Sequence, residues 1–315
     1  MILSLPYALH VASSREPCFD GECADKVMEK DKLQPQRFEL KYLVNEDVAL
    51  AMRDFVRSYL VPDEFASKSP TLAYPNHSLY LDSDDLQMYW DVINGNKNRY
   101  KLRIRFYDDN PAAPVFFEIK RRSDNAILKE RGAVRREFVA TLLAGQLPEP
   151  GHLVSNNPKH LTALQNFCRL MHDCHAHPKT HVYYQREAWM SVEDNSVRVT
   201  FDRDVYSCPH TEPVITTQMQ DSVKPWGDQV ILELKFTGRF PNWFFEMVRL
   251  FNVMQCGVAK YAEGVAILGE ERLNPLFHQP ESSDRVERFL REHRNPRQSR
   301  KSAAENDGNL VWTTS

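Results

Sequence analysis

Hydrophobic and charged positions alternate in one segment of this chain after another, and the charged phase is mostly basic. Between residues 37 and 42, Arg37, Glu39 and Lys41 take the odd positions while Phe38, Leu40 and Tyr42 take the even ones. Lys101, Arg103 and Arg105 alternate with Leu102, Ile104 and Phe106, and Glu118 and Lys120 with Phe117 and Ile119. Lys129 and Arg131 follow, and Glu233 and Lys235 alternate with Leu232 and Leu234. Side chains on a strand point to opposite faces with period two, so each segment predicts a strand with one apolar and one charged face. One solvated face is the ordinary state of an antiparallel sheet. The repeated Arg and Lys predict something narrower, a convergent basic surface for an anionic ligand.

Turn and cap signals place these strands in order. A strand over 36–44 ends at Asn45, a suitable N-cap for a helix through Leu60 with Val48, Met52, Phe55 and Val56 inward. Pro62, Pro70 and Pro75 mark a loop, and Ser78–Asp82 a strand before a short helix from Asp84 to Ile93. Strands over 98–108, 114–122 and 126–139 form a meander of hairpins, followed by a helical turn at 142–147 and a helix over 158–175. Further strands are expected at 180–192, 196–206 and 229–236, and helices at 243–251 and 259–267, the first entered through Pro241. The fold class is therefore α+β, and about eight antiparallel strands can close into a barrel with helices outside. If the apolar face packs on those helices, the charged face lines the interior, which must be wet or filled by a polyanion.

Composition narrows the function. The chain has 315 residues, 42% of them hydrophobic, with a formal net charge of -3. That balance excludes a generally basic, nucleic-acid-coating protein, so any anion site is a local concentration of charge. Six scattered cysteines show no disulfide framework, no apolar run reaches the length of a bilayer, and the N-terminus lacks a basic n-region. A cytoplasmic location is expected. Residues 1–34 read as a poorly ordered leader, 35–271 as the domain, and 272–315 as a polar tail with an Arg-rich helix at 283–293. That tail is a solvated segment or a basic arm that gathers polyanion.

Seven motifs then occur in one order: Arg37-Phe-Glu-Leu-Lys-Tyr42, Arg103-Ile-Arg105, Glu118-Ile-Lys120, Gln185-Arg186, Val197-Arg198-Val-Thr-Phe-Asp202, Leu232-Glu-Leu-Lys235 and Lys260-Tyr-Ala-Glu-Gly264. This series resembles the bacterial form of the polyphosphate polymerase (VTC) domain, within the triphosphate tunnel metalloenzymes, over about residues 35–270. The resemblance implies an eight-stranded tunnel barrel with a helix closing one side, ATP and polyphosphate as ligands, and a divalent metal, manganese first and magnesium second. By position, it implies that Lys41, Arg103, Arg105, Lys120, Arg186, Arg198 and Lys260 form the catalytic phosphate-holding set. Arg37, Lys129, Arg131 and Lys235 are further substrate-binding candidates, with Lys129 and Arg131 competing for one inward position. Glu233 is the implied principal metal ligand. Glu39 is a second ligand or a partner that orients Lys41 and Arg37.

Two departures stand out. The hydrolytic branch carries Glu-x-Glu-x-Lys in its first strand, where this chain has Arg37-x-Glu39-x-Lys41, which favours a polymerase over a triphosphatase. Relatives place Ser before the closing-helix Lys and a basic residue three before it, where this chain has Ala259 and Gly257. Those losses leave room for a binding module with little turnover. No nucleic-acid partner is expected, and a membrane partner that receives the polymer and the oligomeric state stay open. Cys168, His172, Cys174, His175, His177 and His181 lie close in sequence, but their spacing fits no standard zinc site.

Overall fold

The computed structural model describes residues 37–123, 126–192 and 196–274. Its elements run β1 (Arg37–Val44), α1 (Glu46–Val56), β2 (Val61–Pro62), β3 (Ala73–Asp82), α2 (Gln87–Ile93), β4 (Arg99–Phe106), β5 (Val115–Ser123) and β6 (Ala126–Val134). They continue with α3 (Val139–Leu143), α4 (Pro158–Asp173), β7 (His177–Met190), β8 (Val197–Pro209), β9 (Val230–Thr237), α5 (Asn242–Leu250) and α6 (Lys260–Leu268). The eight long strands form one antiparallel sheet in the order β1-β9-β8-β7-β3-β4-β5-β6, and β2 adds to the end of β7.

The period-two pattern decides which face goes where. Leu79 and Leu81 of β3, Leu102 and Ile104 of β4, and Phe117 and Ile119 of β5 form one buried cluster with Leu164 and Phe167 of α4. Tyr42 of β1, Leu232 and Leu234 of β9, and Phe201 of β8 form a second with Met52 of α1 and Phe244 of α5. Both clusters lie on the convex face, so the opposite, charged phase lines the concave one. Removing each of these large side chains from water contributes roughly 1.5–3 kcal/mol. α4 starts where Asn157 accepts the Lys159 amide proton at 3.0 Å and Pro158 fills the first turn. It crosses β6 closely at Gly132, where a Cβ would stand 2.9 Å from the His160 carbonyl oxygen.

A third cluster lies inside. Tyr261, Ala262, Val265 and Leu268 of α6 pack on Tyr80, Val182, Tyr184 and Val205 of the sheet. A Cβ on Gly264 would collide with the Ser207 side chain of β8, so only glycine permits this approach. Asp82, fully buried, accepts from the Met88 amide at 2.8 Å and from the Tyr261 hydroxyl at 2.7 Å, fastening α2 and α6 together. The helix expected to close one side is therefore present.

The strand ladder itself stays open, because among the described residues no pairing joins β1 to β6. The seam is crossed by side chains instead, with Glu39 of β1 reaching Lys120 of β5 at 3.2 Å. Pro75 lies within β3, which is longer than the Ser78–Asp82 strand expected, at a place where only β7 pairs with it. That one-sided position tolerates a residue without an N–H. Packing runs on to Leu273, which is buried against the α6 cluster. Residues 1–34, the Arg-rich helix at 283–293 and the rest of the tail from 275 lie outside the described residues.

The outer face carries a buried pair of imidazoles. His77 Nδ1 and His181 Nε2 are 2.9 Å apart, stacked on Phe106 and Tyr183, with His210 and Asp109 the nearest titratable groups. Burial pushes His77 down to about 4 and His181 down to about 3, despite Asp109. Both imidazoles bind protons more weakly folded than unfolded, so stability is full above about pH 6.5 and falls as the pH drops towards 4. Unfolding free energies from urea denaturation at pH 7.5 and 4.5 are expected to differ by roughly 2–3 kcal/mol per imidazole, and His77→Phe to flatten that difference.

Candidate functional site

The charged phase of seven strands converges on the concave face, where carboxylates hold the cations in three groups. Glu118 of β5 is fully buried and binds Arg103 of β4 at 2.7 Å, Lys129 of β6 at 2.7 Å and Arg131 of β6 at 3.2 Å. Lys129 and Arg131 thus do not compete for one position, since residues two apart on a strand share a face. Asp202 of β8 and Glu233 of β9 share two cations. Arg186 forks onto Asp202 with both contacts at 2.7 Å and stands 3.6 Å from Glu233. Lys260 reaches Asp202 at 2.7 Å and Glu233 at 3.0 Å, and Lys235 holds Glu233 at 2.5 Å. The third group is Glu39, paired with Lys41 at 3.1 Å and Lys120 at 3.2 Å.

These pairs fix the ionisation of the site. Burial alone would raise Glu233, but Lys235, Lys260, Lys41 and Arg186 hold it well below the ordinary carboxylate range. Glu39 and Glu118 are likewise held down against their burial, the first by Lys120 and Lys235, the second by Arg103 and Arg105. Asp202 and Glu233 in turn keep Lys260 protonated in spite of burial. All four carboxylates therefore stay anionic at neutral pH.

Arg105 and Lys101 form no ion pair among the described residues. Arg105 is buried, donates to the Tyr184 hydroxyl at 2.8 Å, and leaves its Nε without a partner. Lys101 has no ion pair or hydrogen bond among the described residues, and burial together with Lys41 and Lys120 pushes it down to about 7. It lines a cavity of about 660 Å³ with Lys41, Arg99, Lys120, Arg122 and the 255–259 segment that leads into α6. A buried cation without an ion pair is costly, which applies to Arg105, and Lys101 is half-buried beside other cations on the cavity wall, so both positions suit an arriving anion. An anion near Lys101 would restore its proton. Calorimetric titration of tripolyphosphate at pH 7.5, in buffers of different ionisation enthalpy, is expected to show net proton uptake that Lys101→Met diminishes.

The opposite end of the face is different. Arg198 of β8 donates to Asp63 at 2.7 Å, and Tyr74 of β3 donates to the same oxygen at 2.9 Å. Arg37 opens β1 opposite Thr237, and its side chain lies outside the described residues. The structure brings Lys41, Arg103, Arg105, Lys120, Lys129, Arg131, Arg186, Lys235, Lys260, Glu39 and Glu233 onto one face, while Arg198, expected among the catalytic phosphate-holding residues, lies at its rim against Asp63. The sequence reasoning assigned no role to Asp202, Glu118 or Lys101, although each lies in the same strand phase as residues it did assign. Asp63 sits in a loop with no periodic signal.

The divalent metal expected at Glu233 and Glu39 must be tested against these contacts. Among the described residues no three or more His, Cys, Asp or Glu stand together as a metal group, which also removes the cysteine–histidine segment. Cys168 packs against the convex core, and His181 is occupied with His77. Glu233 and Glu39 lie on either side of Lys41, at 3.7 and 3.1 Å from its ammonium. A hard cation taking one or two carboxylates and completing its shell with phosphate oxygens and water fits this arrangement. A metal held by protein alone does not.

A model of the VTC domain matches residues 36–269. The chain belongs to the VTC domain family. Over 231 residues this VTC domain is 23% identical to vacuolar transporter chaperone complex subunit 2 of Schizosaccharomyces pombe, covering 63% of the chain and 32% of that relative. It thus spans about a third of the length of the curated relative. Among solved structures it is similar to that of a candidate adenylate cyclase from Bacillus halodurans, with a TM-score of 0.40 and 12% identity over 71% of this chain and 94% of that one. No helix among the described residues is long and apolar enough to cross a membrane.

Proposed function

We propose that this VTC domain is a metal-dependent polyphosphate polymerase that transfers the γ-phosphoryl group of ATP to the end of a polyphosphate chain. The observation that carries the reading is the surplus of interior cations over Glu39, Glu118, Asp202 and Glu233, with Arg105 and Lys101 forming no ion pair among the described residues. A terminal oxygen of the chain attacks the γ-phosphorus, a P–O bond forms, and the bond to the β,γ-bridging oxygen breaks as ADP leaves with the electron pair. There is little covalent work for the protein, so positioning and charge stabilisation dominate. Arg103, Arg105 and Arg186 offer planar forks to phosphate oxygens, while Lys41, Lys120 and Lys260 act as compact charges. A divalent ion at Glu233, manganese or magnesium, would neutralise charge on the transferring group. Membership of the VTC family and the likeness to a vacuolar transporter chaperone subunit support this reading. Action in the cytoplasm, with a membrane partner taking up the polymer, belongs to the same proposal.

A second reading is a polyphosphate-binding module. Gly257 and Ala259 bring no polar side chain to the cavity wall beside Lys260. Incubation of the purified protein with ATP and manganese separates the two. Long-chain polymer with stoichiometric ADP is expected. Free phosphate without polymer would indicate a triphosphatase, and polyphosphate binding without turnover would leave the binding module.

A further inference from the structure

The rim around Arg198 is aromatic in a way that phosphate binding does not need. Phe65 follows β2, and 56% of its surface is open to solvent. Its ring lies nearly parallel to Tyr107, at 12° and 6.2 Å between centroids, and 5.5 Å from Tyr74. Tyr107 meets Phe116 edge-on at 6.0 Å, and the Arg131 guanidinium covers Phe116 at 3.5 Å. Tyr74 and Phe116 belong to the concave phase of β3 and β5, so these rings line the end of the basic face farther from the 660 Å³ cavity.

Asp63 ties this rim to the phosphate-binding residues. One carboxylate oxygen accepts the backbone N–H of Phe65 at 3.2 Å and of Ala66 at 2.9 Å, fixing the turn that carries the Phe65 ring. The other accepts from Arg198 and Tyr74. A single buried carboxylate therefore sets both an exposed aromatic plane and an arginine that faces the site. Outward rings beside inward cations suit a ligand that is flat and apolar at one end and polyanionic at the other.

We infer that Phe65, backed by Tyr107 and Tyr74, is the stacking platform for the base of the nucleoside triphosphate, which sets the direction in which the nucleotide lies. This rests on the polymerase reading. The base sits at the Phe65 rim, the first phosphates pass Arg198, Arg131 and Arg105, and the terminal phosphate points to Lys260. The acceptor polyphosphate then approaches from the cavity lined by Lys101 and Lys120. Stacking tolerates any base, because every base has a π-face, so discrimination among purines is expected to be weak.

Calorimetric titration with ATP and with inorganic tripolyphosphate, on wild type, Phe65→Ala and Phe65→Trp, tests the inference. Phe65 is exposed, so its truncation leaves the fold intact. Phe65→Ala is expected to weaken ATP by about tenfold, within the roughly 5- to 150-fold range of one lost stacking contact, with tripolyphosphate affinity unchanged. Phe65→Trp is expected to restore or tighten ATP. Equal weakening of both ligands, or unchanged ATP affinity while tripolyphosphate binds, overturns the base assignment alone. A wild-type protein that binds neither ligand overturns the phosphate reading and this inference together.

Discussion

Arg186→Met is expected to lower the unfolding free energy by roughly 3–5 kcal/mol and to remove measurable tripolyphosphate binding. Arg186 makes the bidentate contact to Asp202, a side chain with no exposed surface, so its loss leaves that carboxylate with Lys260 alone. Breaking one side of a buried pair strands a charge, which is why the stability cost exceeds that of losing a surface bridge. Lysine cannot reproduce the fork, so Arg186→Lys should recover part of the stability and little of the affinity. Arg105 makes the contrast. It donates to a tyrosine hydroxyl and forms no ion pair among the described residues, so Arg105→Met should cost far less stability than Arg186→Met while weakening tripolyphosphate by about tenfold or more. Urea denaturation and calorimetry on the two variants measure both quantities. If Arg186→Met kept wild-type affinity, the concave face would not be where phosphate binds.

Glu233→Gln should separate binding from rate. The substitution removes one negative charge from among Lys41, Lys235, Lys260 and Arg186. Metal-free tripolyphosphate binding should therefore hold or tighten. Turnover of ATP with manganese should fall by about 100- to 1000-fold, the scale of losing one stabilising contact to developing charge, because the ion loses its anionic ligand on the protein. Manganese titrations of the steady-state rate, beside metal-free calorimetry, read the two effects apart. Full activity in Glu233→Gln would exclude Glu233 as the metal ligand.

Much of the site was legible because strand geometry is periodic. Once Arg103 and Arg105 are placed on one face, the pairing of β4 with β3 and β5 carries Tyr80, Ser78 and Glu118 to the same side. The same rule shows that Lys129 and Arg131 must point together, so treating them as rivals misread a period of two. Asp202 and Glu118 share the phase of the basic residues, but which cations a carboxylate holds depends on strand pairing, which the sequence alone does not give. Asp63 and Phe65 were not legible, since a loop has no period and its reach is set by where β2 docks on β7. The strand through Pro75 was masked by a residue that usually ends one. Its tolerance depends on which neighbour is missing, and that is a property of the sheet. The open seam between β1 and β6 was also out of reach, because strand count predicts that a sheet can roll and not that its edges will pair.

A crystal structure with a non-hydrolysable ATP analogue and manganese is expected to show the triphosphate held on the concave face beside a divalent ion. The phosphates are predicted among Arg103, Arg105, Arg186 and Lys260, with the base at Phe65 and with Glu233 as the carboxylate that would hold the manganese. Phosphates bound outside the concave face, or a metal that leaves Glu233 with its lysines, would contradict the account.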